Sequence, residues 1–298
     1  MSKDIMTQAM NKINVVGKLL DVTFRSGTLS DGRAYESANL TIRVNQFYGG
    51  REEVDEVPVS MFAAKYTLAN KPNPGYDQIQ ALKTFKTVQA VGENDADVVR
   101  ISGANIRENN FVSRTTGQII NGWQINSSFI SKGSATDVAS FVIDIYIMDM
   151  HPEEDRDGDP TGRLVIKGGI VQYNGTLDVL EFIVEEPNSV EFIERNWEVN
   201  DTVTVKGRVR VTVSEVNESG KNSSWGEDIP EVTTRTVREL IITKGDDCGK
   251  EEEFAYDPMD IKKAFNVRKA KIEQMRLDAT NAKPKAEAKA STTKYDWE

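Results

Sequence analysis

One histidine and one cysteine are all that this chain of 298 residues offers toward nucleophilic or zinc chemistry. His151 stands in the polar loop MHPEEDRDGDP, and Cys248 in the acidic run KGDDCGKEEE. No Cys/His cluster can hold zinc, and a Ser-His-Asp triad would hang on that one loop histidine. Neither GxxxxGK[ST] nor GxGxxG occurs. Asp155, Asp157 and Asp159 have the first three ligand spacings of a calcium loop. Pro160, however, takes the position that needs glycine, and Ile166 replaces the closing glutamate, so the run reads as an acidic hairpin loop. No catalytic residue, metal or cofactor is expected.

The remaining chemistry is recognition by cations and rings. In TVTVKGRVRVTV, Val203, Val205, Gly207, Val209, Val211 and Val213 share one face of a strand. Lys206, Arg208 and Arg210 share the other, a concentrated cationic stripe in a chain of net charge -10. Arg163 and Lys167 alternate similarly in GRLVIKG. Such a stripe can track phosphates; it can equally be a solvated face neutralised by cross-strand acids. In DVVRISGANIRENNFVSRTTGQIINGWQINSSFIS, two strands flank the polar tip SRTTGQ. Gly103 interrupts the first strand, and a large ring, Phe111, stands near the tip.

The elements that position these residues fall into a repeated order. INVVGKLLDVTF, SANLTIRV and VDEVPVSMFAA read as strands, with Asp31-Gly32 and Gly49-Gly50 at the turns. Leu40, Ile42 and Val44 alternate with Thr41, Arg43 and Asn45. Pro58 suggests an edge or a bulge. NPGYDQIQALKTF has helical spacing, and the two strands around SRTTGQ follow. The same order recurs in SFVIDIYIMDM, GRLVIKGGIVQYN and TLDVLEFIVEE, then the helix PNSVEFIERNW, then DTVTVKGRVRVTVSEV and TRTVRELIIT. DVVRISGANIR aligns with DTVTVKGRVRV, Gly103 opposite Gly207. The chain is therefore expected to be mainly β, two copies of a five-stranded unit with a short helix between strands 3 and 4. The expected boundaries are an N-terminal arm at 1–11, units at 12–132 and 138–245, an acidic linker at 246–256, a helix at 257–279 and a disordered tail at 280–298. That helix carries six Lys/Arg against four acids from Asp257 to Asp278, with Ile261, Phe265, Ile272 and Met275 as an apolar stripe. Without a disulfide framework or an apolar run of membrane length, the chain is expected to be soluble and cytoplasmic, with no membrane partner.

Five strands with a helix between the third and fourth is the order of an OB-fold, a small closed Greek-key barrel. Closing so few strands requires sharp bends, and Gly17, Gly103 and Gly207 are the expected bend points. Val99 and Ile101 share a face with which Ile106 is out of phase, which places a bulge between them. At this level the first unit resembles the bacterial and phage single-stranded DNA-binding proteins. NVVGKLLD resembles their first strand, EVPVSMFAAKYTLA their third strand entering the helix, and DVVRISGANIRENNFVSRTTGQ their fourth strand and hairpin. The resemblance covers residues 12–132 well and 138–245 by pattern more than identity. It departs from the family at Glu56, where a tryptophan is usual nearby, and at the terminus KYDWE, which lacks the family's acidic stretch closing on Pro-Phe.

The resemblance implies single-stranded DNA as the partner, bound by ring stacking and phosphate contacts during replication or recombination. Phe111 falls at the hairpin aromatic, Phe62 at the third-strand aromatic and Tyr48 near another such position. Arg43, Arg107, Lys206, Arg208 and Arg210 are the expected phosphate contacts. Replication or recombination proteins are expected to dock through the C-terminal helix or tail. A second reading stays open on the acidic charge and the two departures: an OB-fold assembly or docking component, such as a virion or transcription-complex subunit, that does not touch nucleic acid.

Overall fold

The computed structural model describes residues 6–113, 116–134, 136–218, 231–246, 250–251 and 254–281. The first half runs β1 (Asn11–Thr28), β2 (Ala34–Tyr48), β3 (Arg51–Ala64), α1 (Pro74–Leu82), α2 (Val88–Val91) and β4 (Val98–Glu108). A small hairpin of β5 (Phe111–Val112) and β6 (Ile119–Ile120) follows, then β7 (Trp123–Ser127) and β8 (Ser131–Lys132). The second half runs β9 (Val138–Glu154), β10 (Pro160–Val171), β11 (Leu177–Val184), α3 (Pro187–Asn196), β12 (Thr202–Glu218) and β13 (Glu231–Gly245). Helix α4 (Pro258–Asn281) closes the described chain. Both inter-strand helices start where the sequence places them. Asn73 accepts from Gly75 ahead of α1 and Glu186 from Ser189 ahead of α3, each with proline in the first turn.

In each half the strand pairings return to where they began. β1 pairs β2, β2 pairs β3, β3 pairs β7 in parallel, β7 pairs β4, and β4 pairs β1 again. In the second half β9, β10, β11, β13 and β12 follow the same circuit, with β11 and β13 the parallel pair. The halves meet where β1 pairs antiparallel with β9, from Asn11↔Ile143 to Val16↔Val138, and the result is one 11-stranded sheet.

The two halves share a core. One contiguous cluster of buried side chains runs from Ile13, Ile42, Met61 and Ile125 into Phe141, Ile166, Phe182 and Val205. The physical reason is the β1–β9 seam: its inward residues, Ile13 and Phe141 among them, are opposite each other and bury jointly. The N-terminal segment also departs from a free arm. Ala9 is buried and its N–H donates to the Val171 carbonyl at 2.9 Å, while Asn11 already belongs to β1. Of the expected tail, residues 282–298 lie outside the described residues, as do 247–249 and 252–253 of the expected linker.

The two aligned glycines do different physical work. Gly103 has φ of 68° and sits where β4 carries one residue more than β1, between the pairs Val15↔Ile101 and Ile13↔Ala104. This is the bulge that the phase change between Ile101 and Ile106 predicts, and glycine is favoured there because other L-residues are strained at positive φ. Gly207 is a close approach instead. A Cβ there would stand 1.9 Å from the Ile241 carbonyl oxygen and 2.5 Å from the Phe141 ring.

Candidate nucleic-acid interface

The outer face of β2 and β3 is built by alternation, and β1 joins it beyond a register shift between Leu19 and Asp21. Leu40, Ile42, Val57, Val59 and Met61 point into the core, so the residues between them must point out. Thr23, Asn39 and Ser60 form one cross-strand row there, Asp21, Thr41 and Pro58 the next, and Arg25, Ser37 and Phe62 the row on the other side. Asn126 of β7 extends the central row beside Ser60. The strip thus presents hydrogen-bonding groups with few charged side chains: among these residues only Asp21 and Arg25 are of charged type, and Arg25 has no ion-pair partner among the described residues. Phe62 is 57 % exposed, and its ring lies 5.2 Å from that of Tyr35 with a tilt of 35°. An aromatic pair beside an uncharged polar strip offers a stacking surface and donors and acceptors to base edges.

The corresponding face of the second half is sealed. An unbroken chain of alternating charges crosses it, from Glu153 through Arg163, Glu239, Arg210, Glu185 and Arg208 to Glu53. The contacts include Arg163–Glu239 at 2.6 Å and Arg210–Glu185 at 3.0 Å. On the same face, one cross-strand row of Val165, Ile183 and Ile241 forms a small buried apolar cluster. Glu53 comes from the β2–β3 hairpin of the first half, which folds over β12. Its Asp55, fully buried, accepts from the Val211 N–H at 2.7 Å and from Gln46 Nε2 at 2.9 Å. Burial of Glu239 opposes its charge, but hydrogen bonds and charge from Arg163 and Arg210 outweigh this and hold its carboxyl below the ordinary range. Burial likewise disfavours the Arg210 cation, and Glu239 and Glu185 overcome it, holding the guanidinium above its usual range.

A group whose folded-state pKa is depressed stabilises the fold fully above its unfolded pKa and loses that contribution as pH falls through the folded value. The melting temperature should therefore fall on acidification below the reference value of 4.5 for a glutamate. Glu239→Gln should remove part of that acid dependence. A wild-type acid limb identical to that of the glutamine variant would show that the ladder does not couple to folding.

The eight residues singled out in the sequence are placed as follows. Phe62 and Phe111 stand outward, Phe111 being 51 % exposed on β5. Lys206 is exposed on β12 opposite Lys244, and Val142, its partner on the other side, is opposite Lys12. These three lysines have no ion-pair partner among the described residues. The stripe Lys206, Arg208 and Arg210 does not act as one free cationic row, because Arg208 is 6 % exposed between Glu53 and Glu185 and Arg210 is held by Glu239 and Glu185. Tyr48 gives one face of its ring to Arg208, whose guanidinium carbon lies 3.9 Å from the ring centroid. Arg43 bonds Glu93 at 2.9 Å and Glu56 at 3.5 Å, and Arg107 bonds Asp178 of β11 at 2.7 Å. The acidic loop closes as a turn, with the Asp155 carboxylate accepting from the backbone N–H groups of Asp157 and Asp159. Among the described residues no group of His, Cys, Asp and Glu could hold a metal ion.

A family model described as YorF matches residues 9–277, nearly the whole described chain. The chain belongs to the YorF family. No curated protein matches it. The YorF-family chain is similar in structure to the wild-type single-stranded DNA binding protein from Thermus aquaticus, at 10% sequence identity and a TM-score of 0.50, covering 82% of this chain and 96% of that one. A deletion variant of the same Thermus aquaticus protein matches at 12% identity and a TM-score of 0.49, over 85% of this chain and 99% of that one. At such identity the likeness concerns the fold: a mainly β, single-stranded-DNA-binding-protein-like architecture.

Two side chains beside the candidate face were not anticipated. Arg238 of β13 has no ion-pair partner among the described residues and reaches the first half. There it lines a cavity of about 300 Å³ with Asp21, Thr23, Thr41, Ser60 and Trp123. Trp123, which begins β7, is largely buried at the same place. Alternation in TRTVRELIIT puts Arg238 on the strand face that it shares with the buried Leu240 and Ile242, a placement that points to no first-half contact. Among the described residues no helix is long and apolar enough to cross a membrane.

Proposed function

We propose that this YorF-family protein binds single-stranded DNA, without catalysis, on the outer face of its first half. In this reading each half is a five-stranded OB barrel, a description supported by the two closed circuits of strand pairing. The observation that carries the proposal is the contrast between equivalent faces. One carries paired charges beside a buried apolar row, and the other is open, nearly uncharged and flanked by the Phe62–Tyr35 pair, with Arg25 and Arg238 without ion-pair partners near it among the described residues. Rings stack on bases that are already unstacked, so single strands are preferred over duplex. Unpaired cations supply the salt-dependent part of the affinity. A protein of this kind serves replication or recombination, where single strands are exposed.

A docking-platform role is the second reading, and one observation favours it: Phe47, 77 % exposed, and Val54 stand outward on the β2–β3 hairpin. Titration of the intrinsic tryptophan fluorescence separates the two, since Trp123 lies under the proposed face. Oligo-dT should quench the emission, duplex of equal length should compete poorly, and added salt should weaken binding. Absence of any oligo-dT binding at low salt would leave the docking reading in its place.

A further inference from the structure

We infer that the groove between the two halves, walled by helix α4, is a second segment of the same single-strand path. The inference rests on the proposed function and extends it. The groove has a volume of about 1070 Å³. The first half contributes Phe111 and Trp123, the second half Lys167 and Arg238, and α4 contributes Phe265 and Lys269. Three separate parts of the chain thus place rings and cations around one space.

Two arguments name the occupant. The first is continuity. Trp123 and Arg238 line this groove and also the smaller cavity on the first half's outer face, so a strand lying on that face meets the groove at its end. The second is charge. Lys167, Arg238 and Lys269 have no ion-pair partners among the described residues, whereas the acids lining the same space are Glu181 and Glu273. Even with Glu181 directly across from Lys167, these three cations exceed the two acids by one in this lining, against a chain of net charge -10, and the walls are aromatic, which suits phosphates interleaved with bases. Helix α4 is fixed as a wall. Ile261 is buried, and Arg268 forms a two-pronged ion pair with Glu108 at the end of β4, which neutralises both. Lys269, the next residue, has no ion-pair partner among the described residues and stands 5.8 Å from the Phe265 ring centroid.

The test compares two lengths of labelled oligo-dT on the full-length protein by fluorescence anisotropy, under conditions of one protein per strand. One oligomer has about 8 nucleotides, within the roughly 4–16 that a single OB unit covers, and the other about 25. The wild type should bind the longer strand at least about tenfold more tightly. Lys167→Ala combined with Lys269→Ala should abolish most of that gain and reduce the long strand's salt slope by roughly 0.7 per lost contact, with short-strand binding unchanged. Both positions are on the surface of a β10 strand and an exposed helix face, so circular dichroism should confirm an intact fold. If the short strand binds normally but the long strand gains nothing, or if the double variant binds the long strand as the wild type does, the groove is not part of the path. If neither strand binds the wild type, the proposed function itself fails and this extension with it.

Discussion

Arg208→Ala should destabilise the protein by about 3–5 kcal/mol and leave the salt dependence of nucleic-acid binding unchanged. Arg208 is one of three cations that alternate with valines on β12, and the spacing alone makes it a phosphate contact as readily as a structural ion. Its surroundings decide the matter. The guanidinium is almost fully buried, lies over the Tyr48 ring and joins Glu53 of the first half to Glu185 of the second. Removing it takes the cation from Glu53 and one of two from Glu185, which keeps Arg210, and breaking a buried ion pair from one side is the costly way to break it. Urea denaturation should show a lower midpoint, and oligo-dT titrations on the folded fraction should show the wild-type salt slope. A flattened slope at unchanged stability would mean that Arg208 reaches phosphate after all.

Gly207→Val should be still more damaging, on the order of 4 kcal/mol or more, among the largest effects seen for single substitutions. The Cβ would overlap the Ile241 carbonyl oxygen at 1.9 Å, and that oxygen belongs to the paired strand β13 and cannot rotate away. Phe141, which the same Cβ would meet at 2.5 Å, lies in β9 at the seam with β1, opposite Ile13. The damage should therefore reach both halves. Because one core cluster spans them, denaturation followed by near-ultraviolet circular dichroism and by tryptophan emission should give one transition, shifted as a whole. Two transitions, with only one displaced, would indicate that the halves fold independently despite the shared sheet.

The order of elements was legible because each strand carries its own alternation and each helix its own cap. Leu40, Ile42 and Val44 against Thr41, Arg43 and Asn45 identify β2 and its two faces without reference to anything else. Asn73-Pro74 and Glu186-Pro187 mark the helix starts. The bulge at Gly103 was legible as a change of phase. What the sequence concealed is which outer face is covered, and the concealed signal was one of degree. Along β2 buried and unburied residues alternate, whereas β10 and β11 bury nearly every residue from Leu164 to Val171 and from Leu177 to Val184. LVIKGGIV and LDVLEFIV are thus strands packed on both sides, a pattern that identifies a covered sheet. The partners of Arg208, Arg107 and Asp55 lie across the halves, at sequence separations where no periodicity reaches. For the same reason no periodicity sets Arg238 beside Trp123.

The most direct measurement is the affinity of Phe62→Ala for a labelled oligo-dT, set against Phe192→Ala. Both rings are exposed, Phe62 on the open face of the first half and Phe192 on α3 of the second, so both substitutions remove a surface aromatic at little cost to the core. If single strands lie on the first half's outer face, Phe62→Ala should weaken binding by roughly 1–3 kcal/mol, about 5- to 150-fold in Kd, at every salt concentration. Phe192→Ala should bind as the wild type does. Equal affinities for wild type and Phe62→Ala, or a loss confined to Phe192→Ala, would contradict the assignment of the interface to the first half.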